Sequence, residues 1–121
     1  MKYLLLIYHE EERWNEIGEP ARQRMYGEYR KLREQLQEGG QFLGGSQLQP
    51  TTAATSVRLR EGKELVTDGP FAETHEQLGG YFLIDVTTLD EAIAVAKRIP
   101  SARMGTVEIR PIVEGPAEPV A

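Results

Sequence analysis

Cysteine is absent from the chain, which removes disulfide bridges, thiolate metal sites and cysteine nucleophiles together. Such usage suits a reducing compartment, and the cytoplasm is the expected location. Positive charge is in the minority, with 14 Lys and Arg against 19 Asp and Glu, a net charge of -5 and a pI near 5.1. Binding a phosphate backbone requires a basic surface, so no nucleic-acid partner is expected. Long apolar runs are missing too. The longest, Leu4–Ile7 between two tyrosines, falls far short of the ~20 residues that cross a bilayer. Neither a membrane partner nor a signal peptide is expected, since Lys2 leads straight into that short run without a cleavage pattern. Aromatic residues are few, at 7%, yet the hydrophobic fraction of 40% suffices for a folded core. At 121 residues there is room for one such core. A single domain over 1–114 is expected, followed by a frayed tail over 115–121 that opens Gly115-Pro116-Ala117-Glu118-Pro119.

What is present is a regular alternation of strand and helix signals. Lys2–Tyr8 reads as a strand buried on both faces. The acidic stretch His9–Glu12 and a loop through Trp14 to Gly18 follow. Pro20 suits the first turn of a helix, where its missing N–H costs nothing. Met25, Tyr29, Leu32 and Leu36 carry the helical stripe onward to a stop at Gly39-Gly40. Phe42-Leu43 starts a strand interrupted by Gly44-Gly45, and Pro50-Thr51-Thr52 closes it. Val57–Arg60 and Glu64–Thr67 alternate around Glu61-Gly62, which predicts a hairpin with one apolar and one charged face. Tyr81–Val86 is a further strand. Thr88 three residues before Glu91 forms a capping box, and Lys97, Arg98 and Pro100 mark the end of that helix. Thr106–Ile112 alternates as a last strand. The order β-α-β, hairpin, β-α-β predicts an α+β, ferredoxin-like split βαβ subunit with an extra central hairpin and both helices on one face of an antiparallel sheet. The other face needs a cover, and a second copy of the chain packed sheet against sheet is the expected one. A cavity is expected between sheet and helices or at the dimer seam.

The segment Val66-Thr67-Asp68-Gly69-Pro70-Phe71-Ala72-Glu73-Thr74, with Glu76-Gln77-Leu78-Gly79-Gly80-Tyr81 after it, resembles the DGPF family within the YCII-related superfamily. Lys2–Ile7, Arg98-Ile99-Pro100 and Val107–Pro111 fit as well, so the likeness covers nearly the whole chain. The resemblance implies a dimeric α+β barrel of ferredoxin-like subunits. It also implies a setting beside transcriptional regulation, with a sigma factor as a partner. Members of the wider superfamily eliminate chloride from small ring compounds or isomerise them. They use a His–Asp acid–base pair whose His lies on the first helix. Here the first helix, Pro20–Glu38, contains no His, so that pair is not carried over.

The residues themselves offer several candidates. Asp68, at a strand end beside a glycine, is placed to exchange a proton with a small substrate. It equally suits an Asx-type turn, with Gly69 supplying unusual backbone angles and Pro70 rigidifying the corner. His9 ends the first strand, and its ordinary pKa of ~6.5 suits proton transfer near neutrality. A surface histidine is the plain alternative for both His9 and His75, and nothing adjacent to His75 in sequence orients it. Phe71 reads as a core or interface anchor and, in the functional reading, as a substrate contact. Tyr8, Tyr26, Tyr29 and Tyr81 are candidates for an aromatic pocket; Tyr29 lies on the core stripe, while Tyr8 and Tyr81 are freer to face a cavity. Arg58, with Arg60 and Arg110, is a candidate to hold an anionic substrate, or to pair with acids across the sheet. Glu73 and Glu76 beside one His do not amount to a metal-ligand set, and the paired glycines lack a phosphate-loop spacing. No metal and no cofactor are therefore expected. The expectation is a cofactor-free lyase or isomerase acting on a small molecule, anionic or aromatic, through Asp68 and His9. The alternatives are a non-catalytic small-molecule-binding module and a sigma-factor-associated regulator.

Overall fold

The computed structural model describes residues 1–114, and the tail expected over 115–121 lies outside them. Within that range β1 (Lys2–His9), α1 (Glu11–Glu16), α2 (Glu19–Glu38) and β2 (Phe42–Gln47) come first. A 3-10 turn at Thr51–Ala53 leads into the hairpin β3 (Thr55–Arg60) and β4 (Lys63–Asp68). Then come β5 (Gln77–Asp85), α3 (Leu89–Arg98), a 3-10 turn at Pro100–Arg103, and β6 (Thr106–Pro111). The main sheet runs β2-β5-β1-β6, with every neighbouring pair antiparallel. Each helical crossover joins two strands separated by one antiparallel neighbour, which is the split βαβ, ferredoxin-like α+β arrangement. The hairpin forms a separate two-stranded sheet.

Strand alternation decides which side the helices cover. Tyr3, Leu5 and Ile7 of β1 and Phe82 and Ile84 of β5 are buried, in one cluster with Leu32 and Leu36 of α2 and Ala92, Val95 and Ile99 at α3. Leu4, Leu6 and Tyr8, with Tyr81 and Leu83, alternate onto the opposite face and are half-buried. Gly45 lets β2 close on β5, since a Cβ there would stand 2.8 Å from the Tyr81 carbonyl oxygen. The strand thus continues through Gly44-Gly45 rather than breaking, with its irregularity confined to the Phe42/Gly44 register shift.

Two local details differ from expectation. Residues 11–16, read as acidic stretch and loop, form a one-and-a-half-turn helix; Glu11 and Glu12 sit in its first turn, where carboxylates favour the helix N-terminus. At α3, Thr88 Oγ1 accepts from the Glu91 N–H at 3.2 Å as a capping box requires, but Glu91 reaches back to the Thr87 N–H at 2.7 Å, one residue early. Among the described residues no helix is long and apolar enough to cross a membrane.

Candidate functional site

The last residues of β1 and the start of β5 build the floor of a cavity beneath α2. In the β1–β5 ladder Ile7 faces Gly80 and Tyr8 faces Leu78, leaving Gly79 as the extra residue of a bulge. The His9 ring occupies the space this glycine leaves open: a Cβ on residue 79 would collide with imidazole Cε1 and stand 2.9 Å from Nδ1. The ring then tilts against Trp14 of α1, centroids 5.5 Å apart, and Trp14 meets Tyr26 of α2 edge-on at 5.7 Å. The short helix α1 thus carries an indole to the cavity mouth. His9 Nδ1 is buried without a hydrogen-bond partner among the described residues. Burial lowers the His9 pKa below 6.5, against the opposing pull of Glu11 and Glu76 nearby. Near neutrality the ring is therefore an uncharged base. Glu11 is itself engaged, accepting from Thr51 N–H at 2.8 Å and Thr51 Oγ1 at 2.9 Å.

The cavity holds about 240 Å³ between the sheet and α2. Tyr26 and Tyr29, with Arg30 and Arg33, project from α2; Ser46 and Gln47 come from β2, Phe82 from β5, and Ser101 from the 3-10 turn after α3. Gln47 Nε2 donates to Tyr26 Oη at 3.3 Å, and Tyr29 Oη donates to the buried Ser101 Oγ at 2.7 Å. Burial raises the Tyr29 pKa, so its hydroxyl stays protonated. Arg33 lies over the Phe42 ring, 5.6 Å from its centroid, and among the described residues its buried Nε has no partner. Among the described residues no Asp or Glu lines this cavity. The charge it holds is positive, in a protein whose net charge is negative.

A family model describing the YCII-related domain matches residues 1–115. The chain belongs to the YCII-related family. It is also similar to an uncharacterised protein of Rhizobium meliloti (strain 1021), 36% identical over 114 residues, which cover 93% of this chain and 92% of the relative. The match runs through every element that contributes to the cavity of this YCII-related chain.

The structure separates the residues that the sequence nominated. His9 lines the cavity. Tyr8 and Tyr81 stand on the opposite face of the sheet, because they alternate with Ile7 and Phe82, which line it. Asp68 ends β4 in register with Thr55, exposed and outside the cavity lining. Among the described residues no hydrogen bond reaches its carboxylate, so the Asx-type bond is not made. The turn is held instead by the backbone: Gly69 has φ 98, its N–H donates to the Ala54 carbonyl at 2.6 Å, and its carbonyl accepts from Ser56 Oγ at 2.8 Å. Arg58 lies on the same hairpin, opposite Leu65 and exposed. Phe71 is 79% exposed, so it anchors no core within the chain. His75, for which adjacent sequence offered no partner, meets Glu10 at 2.7 Å. Among the described residues no cluster of three or more His, Cys, Asp or Glu is arranged to hold a metal ion.

Trp14, Arg30, Arg33, Gln47 and Ser101 were missed as site residues. For the two arginines a signal existed. Arg30 stands four residues after Tyr26, and Arg33 four after Tyr29 and three before Leu36, helical spacings that set each beside those side chains.

Proposed function

We propose that the cavity is a small-molecule site in which His9 takes and returns a proton, so that the protein acts as a lyase or isomerase needing no group beyond its own side chains. The observation that carries this is the His9 ring, held over Gly79 with an unpartnered buried Nδ1 and kept neutral by burial. A base whose pKa lies near the working pH is the most effective proton carrier, and a single base suffices to move a proton between two carbons of one substrate. The Gln47 amide, which spends one N–H on Tyr26 Oη, has a second to offer a substrate in the same cavity. Asp68 has no part in this reading.

The test is exchange of solvent deuterium into a panel of small carbon acids, followed by NMR. The wild-type protein should promote exchange in at least one of them, His9→Gln should lose it, and Asp68→Asn should retain it. Loss with Asp68→Asn alone would return the chemistry to the hairpin. A ligand that raises Tm without exchanging would make the protein a binding module instead.

The assembly belongs to the same proposal. Leu4, Leu6, Tyr81 and Leu83 form an apolar strip across the two central strands on the face without helices, and a second copy of the chain is its proposed cover. The hairpin presents a further apolar surface through Val57, Leu59 and Val66. This favours a second reading, a regulatory module that docks a protein partner such as a sigma factor. Loss of that partner on Val57→Asp with Val66→Asp, with cavity binding unaltered, would mark it.

A further inference from the structure

We infer that the ligand of this cavity is a flat, unsaturated carboxylate whose carboxyl group is held by Arg33 and Arg30 and whose far end reaches His9. The inference rests on reading the cavity as a small-molecule site and adds the class of molecule. Arg30 and Arg33 are one turn apart on α2 and both line the cavity. Among the described residues neither is hydrogen-bonded or paired to a carboxylate, although other arginines of the chain are: Arg22 with Glu19, Arg103 with Glu28, Arg110 with Glu108. Two neighbouring guanidinium groups repel one another, and an unsatisfied buried N–H such as Arg33 Nε is costly. A carboxylate relieves both at once, and the planar guanidinium fork binds it bidentately.

The shape of the cavity sets the rest of the molecule. Tyr26, which meets Trp14 beside His9, and Arg33, which lies over Phe42, are seven positions apart on α2. At 1.5 Å per residue this separates the two ends by about 10 Å. The walls between are aromatic, from Tyr29 and Phe82. A volume of about 240 Å³ has room for one ring or a short conjugated chain. Neutral amides of the same shape keep the stacking and lose the charge.

Trp14 is the sole tryptophan of the chain and lines the cavity, so its fluorescence reports occupancy directly. Titrations of the full-length protein with benzoate, cinnamate, benzamide and cinnamamide are to be run above neutral pH, where His9 is uncharged and the arginines alone carry positive charge. At least one carboxylate should saturate the signal with an affinity tenfold or more above that of its amide. Charge-assisted hydrogen bonds correspond to roughly 10–100-fold in affinity, so Arg33→Gln should remove most of that margin. Arg33→Lys, which keeps the charge but not the planar fork, should restore part of it. Arg30→Gln, an exposed position that folding tolerates, should weaken the carboxylate and leave the amide unchanged. Equal affinity for acid and amide, no saturable binding of either carboxylate, or a margin untouched by both glutamine variants would each overturn the inference. None of these results bears on proton transfer by His9, which deuterium exchange judges separately.

Discussion

His9 lies where a side chain on residue 79 would otherwise be, and the consequences are electrostatic as well as steric. Burial holds its folded-state pKa below the 6.5 of an unperturbed imidazole, while Glu11 and Glu76 limit the drop. Between the lowered value and 6.5 the unfolded chain binds a proton that the folded chain does not. Stability therefore rises with pH across that window and falls as pH drops through 6.5. Urea unfolding of the wild type and His9→Gln over a pH series should show this slope in the wild type and its loss in the variant. A slope of the opposite sign would place His9 in the charged form. The sequence put His9 at the end of a strand but could not show the glycine under it, because residues 9 and 79 meet only through the β1–β5 register.

Elements were legible where periodicity and caps agreed. In α2 the stripe Met25, Leu32 and Leu36 is buried and Gly39-Gly40 ends the helix, Gly40 with φ 70. The hairpin turns on Glu61 and Gly62, both with positive φ, as its two-residue loop demands. Helix α3 begins at the Thr88 cap, and Thr88→Ala should cost about 1 kcal/mol, measurable as a lower Tm with the fold retained; no change would mean that packing of Ala92 and Val95 alone holds the first turn. Helix α1 was not legible. Six residues are too few for an apolar period, and it buries no residue fully. Its importance lies in Trp14, which only tertiary structure connects to the cavity. The same limit applies to Ser46 and Gln47 of β2 and to Ser101 of the 3-10 turn after α3, residues that only the tertiary fold brings to the site. Tyr8 and Tyr81 failed to reach it for a simpler reason: strand parity sends every second residue to the far face.

On the scale of the whole molecule, the two faces of the main sheet have different tasks. One is filled by α2 and α3 and houses the cavity; the other leaves Leu4, Leu6, Tyr81 and Leu83 uncovered by any helix. Leu6→Glu should convert the proposed dimer to monomer in sedimentation while the far-UV spectrum stays unchanged, since Leu6 is outside the buried cluster. A wild-type protein that sediments as a monomer at all concentrations would leave that face without its proposed cover. The fold class followed from element order, and so did a cavity between sheet and helices, whereas most of the residues that line it did not. The most distinctive stretch of sequence, Asp68-Gly69-Pro70-Phe71, lies at the end of the hairpin instead of in the cavity. That hairpin shares no ladder with the four-stranded sheet. Its strands can unzip as a separate cooperative unit at a free energy below that of global unfolding, so the most recognisable part of the chain can open and close while the ladder that carries His9 stays intact.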